Sequence, residues 1–536
     1  MNKVSGFIKA KGQKIVNGHG EELLLRGVGF GNWLLPEGYM WRFPGQGDRP
    51  RRIEQMIRDL TGEEKARDFW KAYYDRYITE ADIQRIAAEG FNSVRIPMNS
   101  RFLYDGDTER YDEDHLVLLD RVIGWCEAHR VYAILDLHGA PGGQTGTNID
   151  DSPNDKPELF IDADNRRRTI EIWRMLAGRY KDKWIVAGYD LLNEPLPEWF
   201  SAYNSLLMPL YNDIIRAIRE VDDKHMIILE GVHWATDWSI FEEKPDDNLM
   251  LQFHKYWNSP DTESIQKFLD KRTEWDVPIY MGEGGENNIE WYTGAFRLYE
   301  DHDISWNFWT WKKLDTTNSP CSVRMPEGWE KLIGYLEGGA KPETADAEQI
   351  LGEYLANLSL DRCVYLPEIV QSLLFRPPVR IPAIFYGYKG QGISYHVVEF
   401  VERELGFRDS DGTDIRFTSG NRKLTNFQHM RGEDWAEDEW MHVYVRPHEW
   451  LAYEVNHVPH HGEGHLVSLR VCGMGDEQSK VEISINDGIS VILPVTGNSW
   501  HTIRTADPHP LLQGNNRIVI KALEQPLAME WIRIGK

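Results

Sequence analysis

Cysteines are scarce in this sequence, and no two of them are close enough to suggest a shared site. The four are Cys126, Cys321, Cys363 and Cys472, and no C-x-x-C pair occurs. Zinc sites and dense disulfide frameworks both need closely or regularly spaced cysteines. We therefore expect four free thiols, no metal site and no cofactor.

Long apolar runs are also absent. No stretch of 18 apolar residues occurs, and the first nine residues lack the apolar core of a signal peptide. We expect no membrane partner. As written, the sequence predicts a cytoplasmic protein, or a secreted one if a signal was removed.

Basic residues are outnumbered, with 60 Lys and Arg against 85 Asp and Glu and a formal net charge of -25. Such a field repels nucleic acid and anionic membranes, so we expect no nucleic-acid partner. Aromatic residues are plentiful, with 21 Trp, 23 Tyr and 19 Phe. Their flat faces suit sugar rings, although a large core would use about half of the Trp residues. The oligomeric state is left open.

From residue 23 to about residue 312, short apolar runs alternate with amphipathic helical stretches, which is typical of a parallel α/β sheet. Eight such units favour a closed (β/α)8 TIM barrel over an open sheet. A hairpin at residues 7–16, with a turn at 17–20, is expected to plug the lower end of the barrel. The eight candidate strands are residues 23–29, 93–97, 132–138, 188–193, 226–231, 250–256, 278–283 and 304–309.

Closely spaced prolines at residues 377, 378 and 382 follow the last helical stretch and suggest a domain boundary. We predict a barrel domain over residues 1–375 and a second domain over residues 376–536. In the second, short alternating runs are separated by Gly, Asn and Asp turns, which predicts an all-β sandwich.

Two glutamates carry the chemistry of the predicted barrel. Glu194 and Glu283 each close an apolar run and open a Gly- or Pro-containing stretch, as expected for the carboxyl end of a strand. A barrel brings all such ends to one face. Glycoside hydrolysis needs one acid to protonate the leaving oxygen and one carboxylate to attack or to activate water.

Several other strands also end in polar or aromatic residues, and the sequence places them on the same face. A single strand-end His or Arg is more often structural than catalytic. Six polar strand ends in one pocket are harder to explain by packing, because buried charge is costly unless it is paired or used.

With these strand ends the chain resembles glycoside hydrolase family 5, the cellulase-like retaining (β/α)8 enzymes, over roughly residues 5–370. Eight positions match that family in order and on the expected strands: Arg95, His138, Asn193, Glu194, His254, Tyr256, Glu283 and Trp309. The resemblance implies an oligosaccharide or polysaccharide substrate. It also implies double displacement, with Glu194 as the general acid/base and Glu283 as the nucleophile.

The resemblance assigns supporting roles to the other six positions. Arg95 and Tyr256 would keep Glu283 ionised, and His254 would tune the proton of Glu194. Asn193 would bond the sugar 2-hydroxyl, His138 another hydroxyl, and Trp309 would form a stacking floor. Retention predicts carboxyl groups about 5 to 5.5 Å apart, against roughly 6.5 to 9.5 Å for inversion.

The loops around the pocket leave the specificity open. A Gly-rich loop at residues 139–148, which looks similar to that of exo-acting β-1,3-glucanases in the family, and an insertion of about 60 residues before the second strand both favour a pocket over a groove. The insertion carries Trp33, Trp41 and Phe43. Residues 284–288 depart from the aromatic-containing pattern of many members. Exo and endo action on β-glucan or β-gluco-oligosaccharides therefore both remain.

The sequence from about residue 383 to residue 536 resembles carbohydrate-binding modules of family 6, which are β-jelly rolls. In such modules loop aromatics stack on sugar, which makes Trp435 and Trp500 candidates here. Equally, the tryptophans of this region fill a sandwich core. The histidine cluster at residues 457–461 is expected to be an exposed loop.

The sequence also disfavours two other classes of function. A catalytically silent carbohydrate-binding protein would lack one of the two carboxylates, and both are present. An ester hydrolase needs a strand-end Ser with a His base, and no such Ser occurs. Hydrolysis of mannan or of another β-glycoside stays open.

Overall fold

The computed structural model describes residues 3–458, 464–475 and 478–535. The chain divides into two compact units. The first comprises residues up to 255, 268–285 and 304–365, and the second comprises residues 256–267, 286–303 and 366–536. The predicted boundary between residues 375 and 376 stays a prediction.

The first unit is built on eight parallel strands. Its strands are β1 (Lys9–Lys11), β2 (Lys14–Val16), β3 (Glu22–Leu23), β4 (Arg26–Gly29), β5 (Ser93–Asn99), β6 (Tyr104–Asp105), β7 (Arg110–Tyr111), β8 (Tyr132–Gly139), β9 (Val186–Asp190), β10 (Met226–Glu230), β11 (Leu249–His254), β12 (Ile279–Gly285), β13 (Ser305–Trp309), β14 (Lys312–Leu314), β15 (Cys321–Val323) and β16 (Val364–Tyr365). A closed barrel runs in the order β4-β5-β8-β9-β10-β11-β12-β13 and returns to β4. The eight predicted strands and the (β/α)8 barrel are confirmed.

Helices connect the barrel strands and extend beyond them. They are α1 (Pro50–Thr61), α2 (Glu63–Tyr77), α3 (Glu80–Glu89), α4 (Ser100–Leu103), α5 (Glu113–His129), α6 (Glu158–Ile161), α7 (Ala163–Tyr180), α8 (Leu207–Arg219), α9 (Val232–Ala235), α10 (Gln266–Trp275), α11 (Ile289–Asp301), α12 (Trp329–Leu336), α13 (Thr344–Asn357) and α14 (Pro367–Leu373). Local sequence sets their ends. A capping box of Thr79 and Asp82 begins α3, and Gly90, at φ 87°, ends it.

The barrel strands are continuous apolar runs because each is covered on both faces. Every residue of β5, β8 and β12 is buried. The predicted N-terminal hairpin is present as β1 paired antiparallel with β2. Its leading segment reaches the amino-terminal end of β8, where the Tyr132 hydroxyl donates to the Gly6 carbonyl at 2.8 Å.

The second unit is all-β apart from α11, α14 and short turns, as the sequence predicts. Its strands are β17 (Val379–Pro382), β18 (Tyr395–His396), β19 (Asp414–Phe417), β20 (Met441–Val445), β21 (Trp450–His457), β22 (Leu466–Gly473), β23 (Ser479–Ile485), β24 (Ile489–Val495), β25 (His501–Arg504), β26 (Gly514–Ala522) and β27 (Leu527–Gly535). One antiparallel sheet has the order β19-β20-β27-β22-β25, with β17 also beside β27, and the other has the order β18-β21-β26-β23-β24.

Two further expectations concern the whole described chain. All four cysteines are free, as predicted. Among the described residues, no helix combines the length and the apolar character needed to cross a bilayer. Of the histidine cluster at 457–461, residues 459–461 lie outside the described residues.

Candidate active site

Both predicted catalytic carboxylates lie at the carboxyl-terminal edge of the barrel. Glu194 follows β9, and Glu283 lies within β12 opposite His254 of β11. One side-chain oxygen of each glutamate and a ring nitrogen of His254 lie within 4.8 Å of one another. The two glutamates are 8% and 4% exposed. A separation of this size suits direct attack by one carboxylate, as in retaining enzymes.

Arg95 forms an ion pair with Glu283. Its Nη1 donates to Glu283 Oε2 at 2.7 Å, and the guanidinium is fully buried. The same guanidinium is shared among further acceptors at 2.8 to 3.1 Å, which are Asp136, Asp190, Asn193 and Glu230. Arg95 is thus the cation of a buried carboxylate cluster and not a partner of Glu283 alone.

Glu194 is held by a histidine and by a second buried glutamate. His254 Nδ1 lies 2.7 Å from Glu194 Oε1. The backbone N–H of Glu194 donates to Glu230 Oε2 at 2.7 Å. Glu194 itself has a φ of 44°, in the left-handed region that non-glycine residues seldom adopt. The strained backbone and the Glu230 hydrogen bond together aim the Glu194 carboxyl at His254.

His254 supplies a second positive charge. Burial acts to lower the pKa of His254, but the Glu230 and Glu283 carboxylates outweigh it and raise that pKa well above its ordinary value. Burial likewise acts to raise the pKa of Glu230, yet His254 and Arg95 bring it below the usual range. Glu230 is therefore ionised and lies close to the two predicted catalytic carboxyls.

The sequence predicts that Arg95 keeps Glu283 ionised, but the pKa of Glu283 is raised in the folded protein. Burial raises the pKa of Glu283 above its ordinary value, although His254 and Arg95 both act against that rise. The neighbouring Glu194 adds to it. The physical reason is that burial removes the carboxylate from water, and this cost to the ionised form exceeds the attraction of His254 and Arg95.

Two aspartates below the glutamates complete the cluster. Asp136 and Asp190 face each other in the register of β8 and β9, and both contact Arg95. Burial raises the pKa of Asp136 to about 8 and raises that of Asp190 well above its usual range. Near neutral pH Asp136 and Asp190 are therefore more protonated than ordinary aspartates.

His138 and Trp309 form a flat surface beside the carboxylates. Their rings stack with centroids 5.4 Å apart and planes 3° from parallel. Burial lowers the pKa of His138 to about 4, so the ring is neutral. Its Nδ1 then donates to Asp136 at 2.8 Å, and its Nε2 accepts from Asn193 Nδ2 at 3.3 Å. A Cβ on Gly31 would meet the Trp309 ring at 2.6 Å, so only glycine fits there.

The wall next to Trp309 comes from the insertion after β4. Trp309 Nε1 donates to the Tyr39 hydroxyl at 2.9 Å, and Glu37 lies 3.8 Å from His138 Nε2. Trp33, Trp41 and Phe43, the aromatic residues predicted for this wall, are buried. Trp41 packs among the aromatic rings of α2, α12 and α13. The three buried residues therefore stabilise the wall, and Tyr39 is its residue in contact with Trp309.

The predicted Gly-rich loop after β8 is fastened by one buried glutamine. Gln144 Nε2 donates to the His138 carbonyl at 2.7 Å and to the Asn193 carbonyl at 2.9 Å. Its Oε1 accepts from the Ala140 N–H at 3.0 Å. Because both carbonyls belong to site residues, the loop is fixed directly against the pocket.

Seven of the eight predicted site residues lie in the first unit and form the contacts above. Tyr256 belongs to the second unit, where its carbonyl accepts a hydrogen bond from Asn287 Nδ2 at 3.0 Å. Trp311, a neighbour of Trp309, turns the other way and donates to Asp82 of α3 at 3.0 Å.

Four residues of this site were not predicted from the sequence, and they are Asp136, Asp190, Glu230 and Gln252. Glu230 closes the apolar run of β10 just as Glu194 and Glu283 close theirs, so the same signal identifies it. Asp136 and Gln252 lie two residues before His138 and His254, and alternation along a strand puts such pairs on one face. Asp190 is the last residue of β9 and is the fourth member of the set.

Among the described residues, Glu194, His254 and Glu283 are the group whose ligand atoms lie close enough to share a metal ion. Each already has a protein partner. His254 Nδ1 faces Glu194, and Arg95 donates to Glu283. A divalent ion there would add its charge to those of Arg95 and His254, so the donor set fits an acid–base site better than a metal site.

The two tryptophans named for the second unit differ in exposure. Trp435 is 6% exposed and packs against Phe385, Phe427 and Trp440, so it is a core residue. Trp500 is half-buried, with its ring 5.4 Å from that of His442.

Known proteins share this barrel. A family model for cellulase, glycosyl hydrolase family 5, matches residues 57–315. A β-xylosidase of Phanerodontia chrysosporium is 28% identical over 345 residues, which cover 58% of this chain and 71% of the relative. Endoglucanase C of Acetivibrio thermocellus is 25% identical over 310 residues, covering 46% of this chain and 88% of the relative.

A third relative is a probable glucan 1,3-β-glucosidase A of Aspergillus clavatus. It is 28% identical over 344 residues, covering 61% of this chain and 78% of the relative. The barrel therefore matches the model of glycoside hydrolase family 5 over residues 57–315, and the protein that contains it is a retaining glycoside hydrolase.

Proposed function

We propose that the protein is an exo-acting β-glycosidase that removes single sugars from β-gluco-oligosaccharides or short β-glycosides. Glu194 is the general acid/base and Glu283 is the nucleophile. The observation that carries the assignment is the difference between the two carboxyls: Glu283 accepts from the Arg95 guanidinium at 2.7 Å, whereas Glu194 faces His254 at 2.7 Å.

In the first step Glu283 attacks the anomeric carbon. The bond from that carbon to the leaving oxygen breaks as a bond to a Glu283 oxygen forms, and Glu194 gives its proton to the departing oxygen. Glu283 loses its negative charge in this step. Arg95 keeps its contacts with Asp190 and Glu230 when this charge is lost, so the guanidinium stays paired throughout.

In the second step Glu194, now ionised, takes a proton from water. The water oxygen bonds to the anomeric carbon from the face that the leaving group vacated, and Glu283 is released as a carboxylate. The nearby His254 cation stabilises the ionised Glu194 between the two steps. Asn193, fixed by Arg95 and His138, is proposed to bond the sugar 2-hydroxyl, and Trp309 to support the ring.

Exo action is supported by two walls of the pocket that are hydrogen-bonded to one another. Arg49, which is buried, donates to the Ser152 carbonyl at 3.0 Å, and the Arg51 N–H donates to Asp151 at 3.0 Å. These contacts join the insertion after β4 to the loop after β8. A glucan chain that enters from the open side ends at this junction. The names of the β-xylosidase and glucan 1,3-β-glucosidase relatives agree with exo action.

Product analysis tests the proposal. On reduced β-1,3- and β-1,4-gluco-oligosaccharides we expect free glucose as the sole first product, with Glu283→Ala as the inactive control and manno-oligosaccharides assayed in parallel. Early disaccharides or longer fragments would show endo action, as in the endoglucanase relative. Cleavage of only the manno-oligosaccharides would change the proposed sugar specificity but would leave the proposed reaction unchanged.

We also propose that the second unit is a jelly-roll sandwich of the carbohydrate-binding type and that Trp500 is its sugar contact. Its two antiparallel sheets and the partial exposure of Trp500 support this role. The full-length protein should be retained on insoluble β-glucan, and Trp500→Ala should lose most of that retention. Unchanged retention in this variant would rule out Trp500 as the sugar contact, and absence of retention in the wild-type protein would leave the unit as a purely structural domain.

A further inference from the structure

One antiparallel sheet of the second unit carries a row of arginines on its outward face. Its strands β25, β22, β27 and β17 lie side by side. Cross-strand pairing puts four residues of these strands in register, and directly paired side chains share a face of the sheet. In strand order they are Arg504, Ser468, Arg533 and Arg380. The residues next to them along the strands, such as Leu469 and Ile532, are buried, so the row faces solvent.

Within the described chain, two of the three arginines have no acidic partner. Arg380 forms an ion pair with Glu290. Among the residues that the structure describes, no carboxylate forms an ion pair with Arg504 or Arg533, and both are exposed. Like charges opposite each other on neighbouring strands destabilise a sheet, and Arg533 lies opposite Arg380. In a chain with 85 acidic and 60 basic residues, this positive row therefore indicates a site for an anion from outside the chain.

The short side chain of Ser468 leaves a slot between Arg504 and Arg533. Adjacent strands lie about 5 Å apart, so the Cα atoms of the two arginines are separated by roughly 10 Å across β22. Their side chains are long enough to reach over Ser468 from both sides. A guanidinium binds both oxygens of a carboxylate through its planar fork, and a serine hydroxyl is a further donor. The slot therefore fits a carboxylate between two guanidinium groups.

A tryptophan borders this slot. Arg470 is paired with Thr502 on one side and with Trp531 on the other. Alternation along β22 puts this second row on the same face as Ser468. Glu530 already neutralises Arg470 at 2.7 Å, and the half-buried Trp531 offers an indole surface beside the first row. Indoles suit the apolar faces of sugar rings, whereas the net charge of -25 repels nucleic acid and anionic membranes.

We propose that this face binds an acidic glycan, with the carboxylate of a uronic acid held between Arg504 and Arg533 and a sugar ring lying on Trp531. The ligand is thus a chain of sugars of which at least one carries a carboxylate. The proposal goes beyond the proposed function, because it concerns a different ligand from the neutral glucan assigned to Trp500 and needs no turnover. Since both arginines are exposed, binding should weaken as salt is added.

Two matched tetrasaccharides test the site. Cellotetraose and its counterpart in β-1,4-linked glucuronic acid differ only in having a hydroxymethyl group or a carboxylate on each ring. We expect calorimetric titration of the full-length protein, with Glu283→Ala to prevent turnover, to show tighter binding of the acidic chain at low salt. Arg504→Gln and Arg533→Gln should each weaken that binding about tenfold, since each removes a charge-assisted hydrogen bond, and should leave cellotetraose binding unchanged. Trp531→Ala should also weaken binding of the acidic chain.

Arg517→Gln is the matched control. Arg517 lies on β26 in the other sheet, is partly exposed and also borders a tryptophan, with its Cζ atom 5.3 Å from the ring centre of Trp450. This variant should keep its affinity for both chains. The acidic-glycan site would be overturned by equal affinities for the two chains in the parent protein, by an equal loss in Arg517→Gln, or by polyglutamate that binds as tightly as the acidic sugar. Melting temperatures separate unfolding from loss of the contact, and failure of the proposed glycosidase function has a different signature, which is absence of hydrolysis by the wild-type protein.

Discussion

Replacement of Glu283 by alanine is expected to lower kcat on β-gluco-oligosaccharides by a factor on the order of 10⁴ or more, because no other group can form the covalent intermediate. The measurement is kcat on a β-1,3- or β-1,4-linked disaccharide. Glu63→Ala, at an exposed position in the first turn of α2, is the matched control and should keep full activity.

Azide distinguishes the two carboxylates. In Glu283→Ala the small anion fits the vacated space and attacks from the nucleophile's side, so an activated β-glycoside should give the α-glycosyl azide. In Glu194→Ala the covalent intermediate still forms from an activated substrate, and azide then attacks from the acid's side to give the β-azide. The anomeric configuration is read by NMR. Exchanged configurations would reverse the two roles, and full activity of Glu283→Ala would rule out the mechanism.

Replacement of Arg95 by methionine is expected to lower the free energy of unfolding by about 3 to 5 kcal/mol, the cost of breaking a buried ion pair from one side. Arg95 contacts four carboxylates, and a methionine of similar length leaves all of them without their guanidinium. The measurement is denaturant unfolding at fixed pH. Arg167→Met is the surface control, since the Arg167–Glu109 pair is about half exposed and should contribute little to stability.

The loss in Arg95→Met should depend on pH with a defined sign. Asp136 already has a pKa of about 8 in the folded protein, raised by burial although Arg95 opposes the rise, so removing Arg95 raises it further. An acid whose folded pKa exceeds its unfolded value binds more protons when folded, so its contribution to stability falls as pH rises. Below about pH 8 Asp136 is protonated in both folded proteins, so the difference between Arg95→Met and wild type should open above that pH, and the destabilisation should be larger at about pH 9.5 than at about pH 6. A loss that is independent of pH, or no larger than that of Arg167→Met, would contradict the role of Arg95 as the shared cation.

Much of the barrel could be predicted because its signals are local. Strands such as β8 and β12 are short apolar runs that end at a polar residue and a glycine, and each boundary fell within a few residues of the prediction. The closed barrel then brings strand ends together by geometry alone. The same reasoning identifies Glu230, which closes the apolar run of β10 and is followed directly by Gly231.

The charge state of the site could not be predicted in this way. Sequence suggests that Arg95 serves Glu283, but the folded chain places Asp136, Asp190 and Glu230 around the same guanidinium, and burial then raises the pKa of Glu283. Proton affinity depends on distances across several strands and on the exclusion of water, neither of which is encoded within one segment.

The sequence by itself determined that this protein has a barrel, that two glutamates close strands four and seven of it, and that its reaction is glycoside hydrolysis. Only the tertiary structure decided that Trp435 is buried, that Arg504 and Arg533 lie on either side of Ser468, and that Arg95 is shared. Periodicity along a strand reports which face a residue occupies. It does not report which residues from distant segments reach that face, because those contacts are set by strand register, loop anchoring and packing.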